Sequence, residues 1–157
     1  VSPEVPRGEA ERYLHEHIPI SAAMGVRVVS CDADGVRLAA PLAANINHRA
    51  TVFGGSASAV AILAAWTYLH ATLRGAEHAT RLVIQRNTID YVAPITGDFE
   101  AWCPALPPAE LERFRRTLGR HGRARITLAA ELMFAGVKVA AFSGDYVAVR
   151  LDSATAG

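Results

Sequence analysis

Between Arg49 and Arg74 the chain carries no Asp, Glu, Lys or Arg. The run passes from Thr51, Phe53, Gly54, Gly55, Ser56 and Ser58 through Ile62, Trp66 and His70 to Leu73. Its alanines and leucines favour helix. Apolar side chains on every side imply burial all round rather than along one stripe. A membrane span is one way to satisfy such a run, since about 20 apolar residues cross a bilayer. Ser56, Ser58, Thr67, His70 and Thr72 dilute it, and strand-like segments flank it. The expectation is therefore a core helix wrapped by a sheet, with no membrane partner. A polar loop containing Asn45, Asn47 and Thr51 leads into the helix start, where unpaired backbone N–H groups attract developing negative charge.

The 157 residues suit one domain, 1–157, with its core at about 18–150. A composition 51% hydrophobic and 20% charged is that of a globular chain rather than a disordered one. A formal net charge of +1 argues against nucleic acid as a partner. Cys31 and Cys103 make neither a metal motif nor a disulfide framework. No metal is expected, and a reducing, cytoplasmic compartment is the default. The polar segment 1–12, with Pro3 and Pro6, has no apolar core of a secretory signal.

Taken in order, Glu9 to His17 predicts a short helix that Ile18-Pro19 ends. His15 and His17, two apart, point to different sides of it and read as surface histidines. Alternation over Met24–Cys31 and Val36–Pro41, joined at Asp32-Ala33-Asp34-Gly35, predicts a hairpin. The long helix follows, closed at Arg74-Gly75. Strands are expected at Arg81–Val92, Phe99–Cys103, Ala124–Phe134 and Val137–Arg150. The last carries an irregularity at Ser143-Gly144-Asp145. Pro107-Pro108 starts a short amphipathic helix with Leu111, Phe114 and Leu118 on one stripe and Gly119 at its end. Short connections favour antiparallel pairing. One sheet cannot cover the long helix alone, which makes a second copy of the chain a natural partner.

The ordered set Asn47-x5-Phe53-Gly54-Gly55, the long helix and Asp90-Tyr91-x2-Pro94-x2-Gly97-Asp98-Phe99 resembles the hotdog-fold acyl-thioesterase superfamily. Within it, the set is similar to a bacterial thioesterase-like domain found alone or fused to an acetyltransferase. That subgroup is linked to malonyl-acyl-carrier-protein decarboxylation. The resemblance spans about Ile18 to Arg150. It implies an α+β hotdog fold, an antiparallel sheet wrapped around one long central helix, acting as a homodimer or higher homo-oligomer on acyl-CoA or acyl-carrier-protein thioesters, with no cofactor of its own. It also implies that Asn47 supplies a side-chain amide near the thioester and that the Gly54 N–H polarises its carbonyl. Phe53 stands where relatives carry histidine, and Ile62 where many carry an acid.

That departure matters chemically. Hydrolysis needs a base to activate water, and residues 56–73 contain no Asp or Glu. Decarboxylation of a malonyl thioester needs only an oxyanion hole and an apolar cradle. Three readings follow: thioester hydrolysis, malonyl-carrier decarboxylation, or a non-catalytic acyl-thioester module. Asn47, Gly54 and Asp90 are the candidate catalytic residues. Thr51, Phe53, Gly55, Ser56, Ser58, Ile62, Arg115 and Arg116 are the candidate substrate-binding set. Against each stands a plainer role. Asn47 can tie its loop, the glycines can permit close packing, and Thr51, Ser56 and Ser58 can be helix-start hydrogen bonders. Asp90 can be a structural acceptor. His48 reads as solvated and His70 as a core or interface histidine. The arginines from Arg113 to Arg125 form either a solvated face or a site for coenzyme A phosphates or acidic carrier protein.

Overall fold

The computed structural model describes residues 4–151. Residues 1–3, including Pro3 of the polar N-terminal segment, and 152–157 lie outside the described residues. Helices α1 (Arg7–His17) and α2 (Pro19–Ala23) precede strands β1 (Arg27–Asp32) and β2 (Gly35–Ala40). The long helix α3 (Gly54–Leu73) leads to β3 (Thr80–Tyr91) and β4 (Phe99–Pro104). Helix α4 (Pro108–His121) then precedes β5 (Arg123–Phe134) and β6 (Val137–Arg150). The strands form one antiparallel sheet in the order β1-β2-β4-β5-β6-β3, curled around α3. This is the α+β hotdog architecture expected from the sequence.

The sheet forms because its apolar residues alternate. In β5, Ala124, Ile126, Leu128, Ala130 and Leu132 are buried while Arg123, Arg125, Thr127 and Ala129 are exposed. The buried set meets α3, where Val60, Ala61, Ala64, Ala65 and Leu69 have no exposed surface. Such small side chains let helix and sheet approach closely, and emptying a site like Leu69 to alanine would cost about 2–5 kcal/mol. Polar atoms inside α3 are satisfied. Thr67 and Thr72 donate to the carbonyls of Leu63 and Leu69, at 2.7 and 2.8 Å. The Tyr68 hydroxyl accepts the Leu106 N–H at 2.9 Å, and the Tyr146 hydroxyl donates to the Ile62 carbonyl at 2.8 Å. Within the chain the cover is incomplete. Ser58, Ile62, Trp66 and His70, four residues apart on one stripe, stay half-buried.

Several local expectations are corrected. Pro19 ends α1 but also opens α2, sitting at a first helical position where its missing N–H is no loss. Helix α4 runs past Gly119 and closes at Gly122, whose φ of 68° takes the left-handed turn. His15 is half-buried, its Nε2 lying 2.8 Å from the Val26 carbonyl oxygen. The irregularity expected at Ser143-Gly144-Asp145 falls on the facing strand. Gln85 is the extra residue, between the pairs Ile84↔Tyr146 and Arg86↔Asp145. Gly144 itself stays in register because only a bare α-carbon fits there. A Cβ would lie 2.7 Å from the Phe142 ring and 3.0 Å from that of Tyr146.

Candidate active site

The polar loop before α3 is held by its asparagines. Asn45 is buried, and its amide nitrogen donates to the carbonyls of Met24 and Pro41, at 2.9 and 2.7 Å. Asn47 organises the four residues after it. Its Oδ1 accepts the N–H groups of Arg49 (2.8 Å) and Thr51 (3.2 Å), and its Nδ2 donates to Thr51 Oγ1 (2.9 Å). One of the two amide hydrogens is thereby used and the other is free of that bond. So Asn47 does tie its loop, and Thr51 is its partner. Val52 N–H then bonds the Ile95 carbonyl and Phe53 N–H bonds the Asn45 carbonyl, fixing the chain as it turns into α3.

Phe53 is the N-cap of α3, with φ −60° and ψ 130°, and no side chain caps the helix. The first helical bond runs from Ala57 N–H to the Phe53 carbonyl, at 3.0 Å. The N–H groups of Gly54, Gly55 and Ser56 therefore have no helical acceptor, at the positive end of a helix of 20 residues. Ser56 and Ser58 cap nothing. The Phe53 ring lies over the helix start. A Cβ on Gly55 would sit 2.3 Å from it, so any larger residue there must push the exposed ring aside.

An apolar rim surrounds these donors. Ile46, Phe53, Tyr91 and Val92 are all at least half exposed. A cleft of about 240 Å³ beside them is lined by Val52, Ala57, Tyr91, Val92, Pro94 and Ile95. The Tyr91 hydroxyl donates to the Gly54 carbonyl at 2.6 Å, joining the end of β3 to the start of α3. Desolvation raises the Tyr91 pKa, so it remains a neutral phenol and hydrogen-bond donor. Tyr91, part of the Asp90-Tyr91-x2-Pro94 motif but not of the candidate site set, is an addition to it, and its inward phase follows from alternation with Ile89.

The other candidates are spread more widely. Ile62 lies two turns into α3 on the stripe that faces β3. Asp90 alternates with Ile89, which packs against the core, so its exposed carboxylate projects from the opposite face of β3. The fold does not bring it to Gly54 of the same chain. His48 is exposed in the loop. Arg115 donates to the Thr72 carbonyl near the C-terminus of α3, about 27 Å along the helix from Gly54 at 1.5 Å per residue. Arg116 makes a surface ion pair with Glu112 at 3.8 Å, and Arg125 donates to Gln85. These arginines do not line the start of α3. Among the described residues, no group of three His, Cys, Asp or Glu side chains is placed to hold a metal.

Comparison with known proteins agrees with this geometry. A family model described as "Putative thioesterase (yiiD_Cterm)" matches residues 8–150. A protein of unknown function from Chlorobaculum tepidum TLS superposes with a TM-score of 0.88 at 30% identity, over 92% of this chain and 94% of that one. A crystal structure described as a putative thioesterase from Shewanella oneidensis gives 0.76 at 28% identity, over 91% and 96%. A Pseudomonas aeruginosa protein described as a probable thioesterase gives 0.82 at 21% identity, over 94% and 98%, and bears on the fold alone. With residues 8–150 matched and the same helix-in-sheet architecture in these relatives, the chain belongs to the yiiD C-terminal family of thioesterase-like hotdog proteins.

Proposed function

We propose that this protein binds an acyl-CoA or acyl-carrier-protein thioester at the start of α3 and hydrolyses it. The observation that carries the reading is the uncapped helix start, with the Gly54, Gly55 and Ser56 N–H groups open beneath an apolar rim. A thioester oxygen set against these donors becomes more negative as water adds to the carbonyl, and preorganised N–H groups stabilise that charge. The free amide hydrogen of Asn47 is the further donor. The C–S bond then breaks, and the thiol leaves with a proton.

A second reading is favoured by Ile62, which stands in an α3 without any carboxylate. In decarboxylation of a malonyl thioester the carboxyl C–C bond breaks and its electron pair moves onto the thioester oxygen as an enolate. Protonation then gives the acetyl thioester. The same N–H groups serve, and no base is needed for the first step. Hydrolysis by contrast needs a base from outside α3, for which His48, or Asp90 brought by a second copy, are the candidates.

The protein works as a cytoplasmic homodimer in this reading. A two-fold axis that reverses α3 would carry the arginines of one α4 toward the α3 start of the other copy, where the phosphates of the carrier lie.

The test is to supply malonyl, short and long acyl thioesters to the purified protein, and to measure free thiol, carbon dioxide and acetyl thioester separately. Free thiol without carbon dioxide supports hydrolysis. Carbon dioxide with acetyl thioester establishes decarboxylation. Binding without turnover leaves an acyl-thioester module and overturns both chemistries.

A further inference from the structure

Helix α3 and strand β3 are tied together near both ends, and the residues between the ties are only half-buried. At one end Tyr91 bonds the Gly54 carbonyl at 2.6 Å. At the other, Trp66 Nε1–H donates to the Leu82 carbonyl at 3.3 Å. Between these ties lie Ser58 and Ile62, on the Trp66 stripe of α3, and Ile84 and Ile89 of β3, all four half-buried. A helix face that is apolar yet only half covered beside its own sheet can accept an alkyl chain.

Trp66 is held as a wall. Its ring stacks on His70, with centroids 4.8 Å apart and planes within 9°. His70 stacks on Tyr13 at 4.3 Å, and Tyr13 on His17 at 3.9 Å. Beyond the indole lies a separate cleft of about 310 Å³, lined by Tyr13, Trp66, His70, Leu73, Thr80 and Leu82. Trp66 thus stands between the α3–β3 gap and a space that an alkyl chain could otherwise fill.

We infer that Trp66 is the floor of the acyl groove and sets the longest acyl chain the protein accepts. The inference rests on the proposed placement of the thioester at Gly54. Helical side chains lean toward the N-terminus, so the indole meets the groove near the level of Ile62. That is about 12 Å from Gly54, room for roughly ten carbons of extended chain, since tetrahedral angles reduce each bond of about 1.5 Å to an advance of about 1.25 Å. Replacing Trp66 by a small side chain joins the groove to the cleft behind it.

The experiment is calorimetric binding of a series of non-hydrolysable S-alkyl-CoA thioethers, from two to sixteen carbons, to the full chain and to Trp66→Ala, Trp66→Leu and Trp66→Phe. In the parent, affinity should rise to roughly ten carbons and then stop rising or fall. In Trp66→Ala it should keep rising, by about fourfold for each newly buried methylene. Trp66→Leu should extend the limit by a smaller step, and it carries the test if the alanine variant does not fold. Trp66→Phe keeps a ring in place and should keep the parental limit. Identical length profiles in parent and Trp66→Leu or Trp66→Ala overturn the inference, as does a parent that binds no thioether. Because the probes cannot react, a length limit that moves with Trp66 stands whichever chemistry the turnover assay finds, and absence of turnover is read separately.

Discussion

Substituting Asn47 separates its role in the loop from its role at the thioester. Alanine removes three hydrogen bonds, those to the Arg49 N–H, the Thr51 N–H and Thr51 Oγ1. At about 1 kcal/mol each, this costs up to ~3 kcal/mol. For a chain of this size each kcal/mol lowers the melting temperature by about 2–4 °C. Aspartate is the informative change. It keeps Oδ1 as acceptor for both N–H groups, and the Thr51 hydroxyl can rotate to donate to its second oxygen. Its stability should therefore stay within ~1 kcal/mol of the parent. Aspartate has no amide hydrogen, however, and sets a negative charge beside the forming oxyanion. Turnover should fall ~100- to 1,000-fold, the usual loss for one such donor. The assay is thiol and carbon dioxide release under saturating substrate, with a thermal melt of each variant. Asn47→Asp with parental turnover would refute the amide-donor role. Loss of turnover only in proportion to loss of melting temperature in both variants would reduce Asn47 to a loop tie.

Four further outcomes are expected. Tyr146→Phe removes the hydroxyl that donates to the Ile62 carbonyl and should cost about 1 kcal/mol in urea unfolding, with no change in the slope. His70 is held below its ordinary pKa of 6.5, first by burial and then by the charges of Arg74 and His17. The unfolded chain therefore binds the proton that the native state refuses, and stability falls as pH drops from about 7 through 6.5 toward the lowered native value. His70→Gln should flatten the melting temperature between about pH 7 and 5, and an unchanged pH slope would exclude this histidine as its source. Arg115→Glu should destabilise by removing the donor to the Thr72 carbonyl, measurable by thermal melt, whereas Arg116→Glu should not. Sedimentation at micromolar concentration should give a dimer, and a monomer there would remove every two-copy element of the proposed site.

Much of this molecule is local information. The uncharged run ends at Arg74 because a helix buried by a sheet tolerates no charge before it emerges. The alternation of Ile126, Leu128, Ala130 and Leu132 dictates a strand with one buried face. Glycines, prolines and the asparagine-rich loop mark where the chain turns. These patterns depend on neighbours within a few residues, so they are readable without the fold. The long-range pairings are of another kind. That β3 lies outside β6, that Gln85 rather than Ser143-Gly144-Asp145 carries the bulge, and that α4 runs on to Gly122 depend on which strand lies opposite.

The site divides in the same way. The sequence by itself determined that Asn47 and Gly54 flank the start of an α3 without carboxylates, because spacing along the chain places them there. Tertiary structure alone decided that Tyr91 closes on Gly54 and that Arg115 sits at the far end of α3. It alone set Trp66 against Leu82 with a cleft behind. A side chain's reach is a few ångströms, whereas the residues it meets are up to 84 positions away in sequence, as for Tyr146 and Ile62. Those meetings follow from how the sheet curls around α3, which no local pattern encodes.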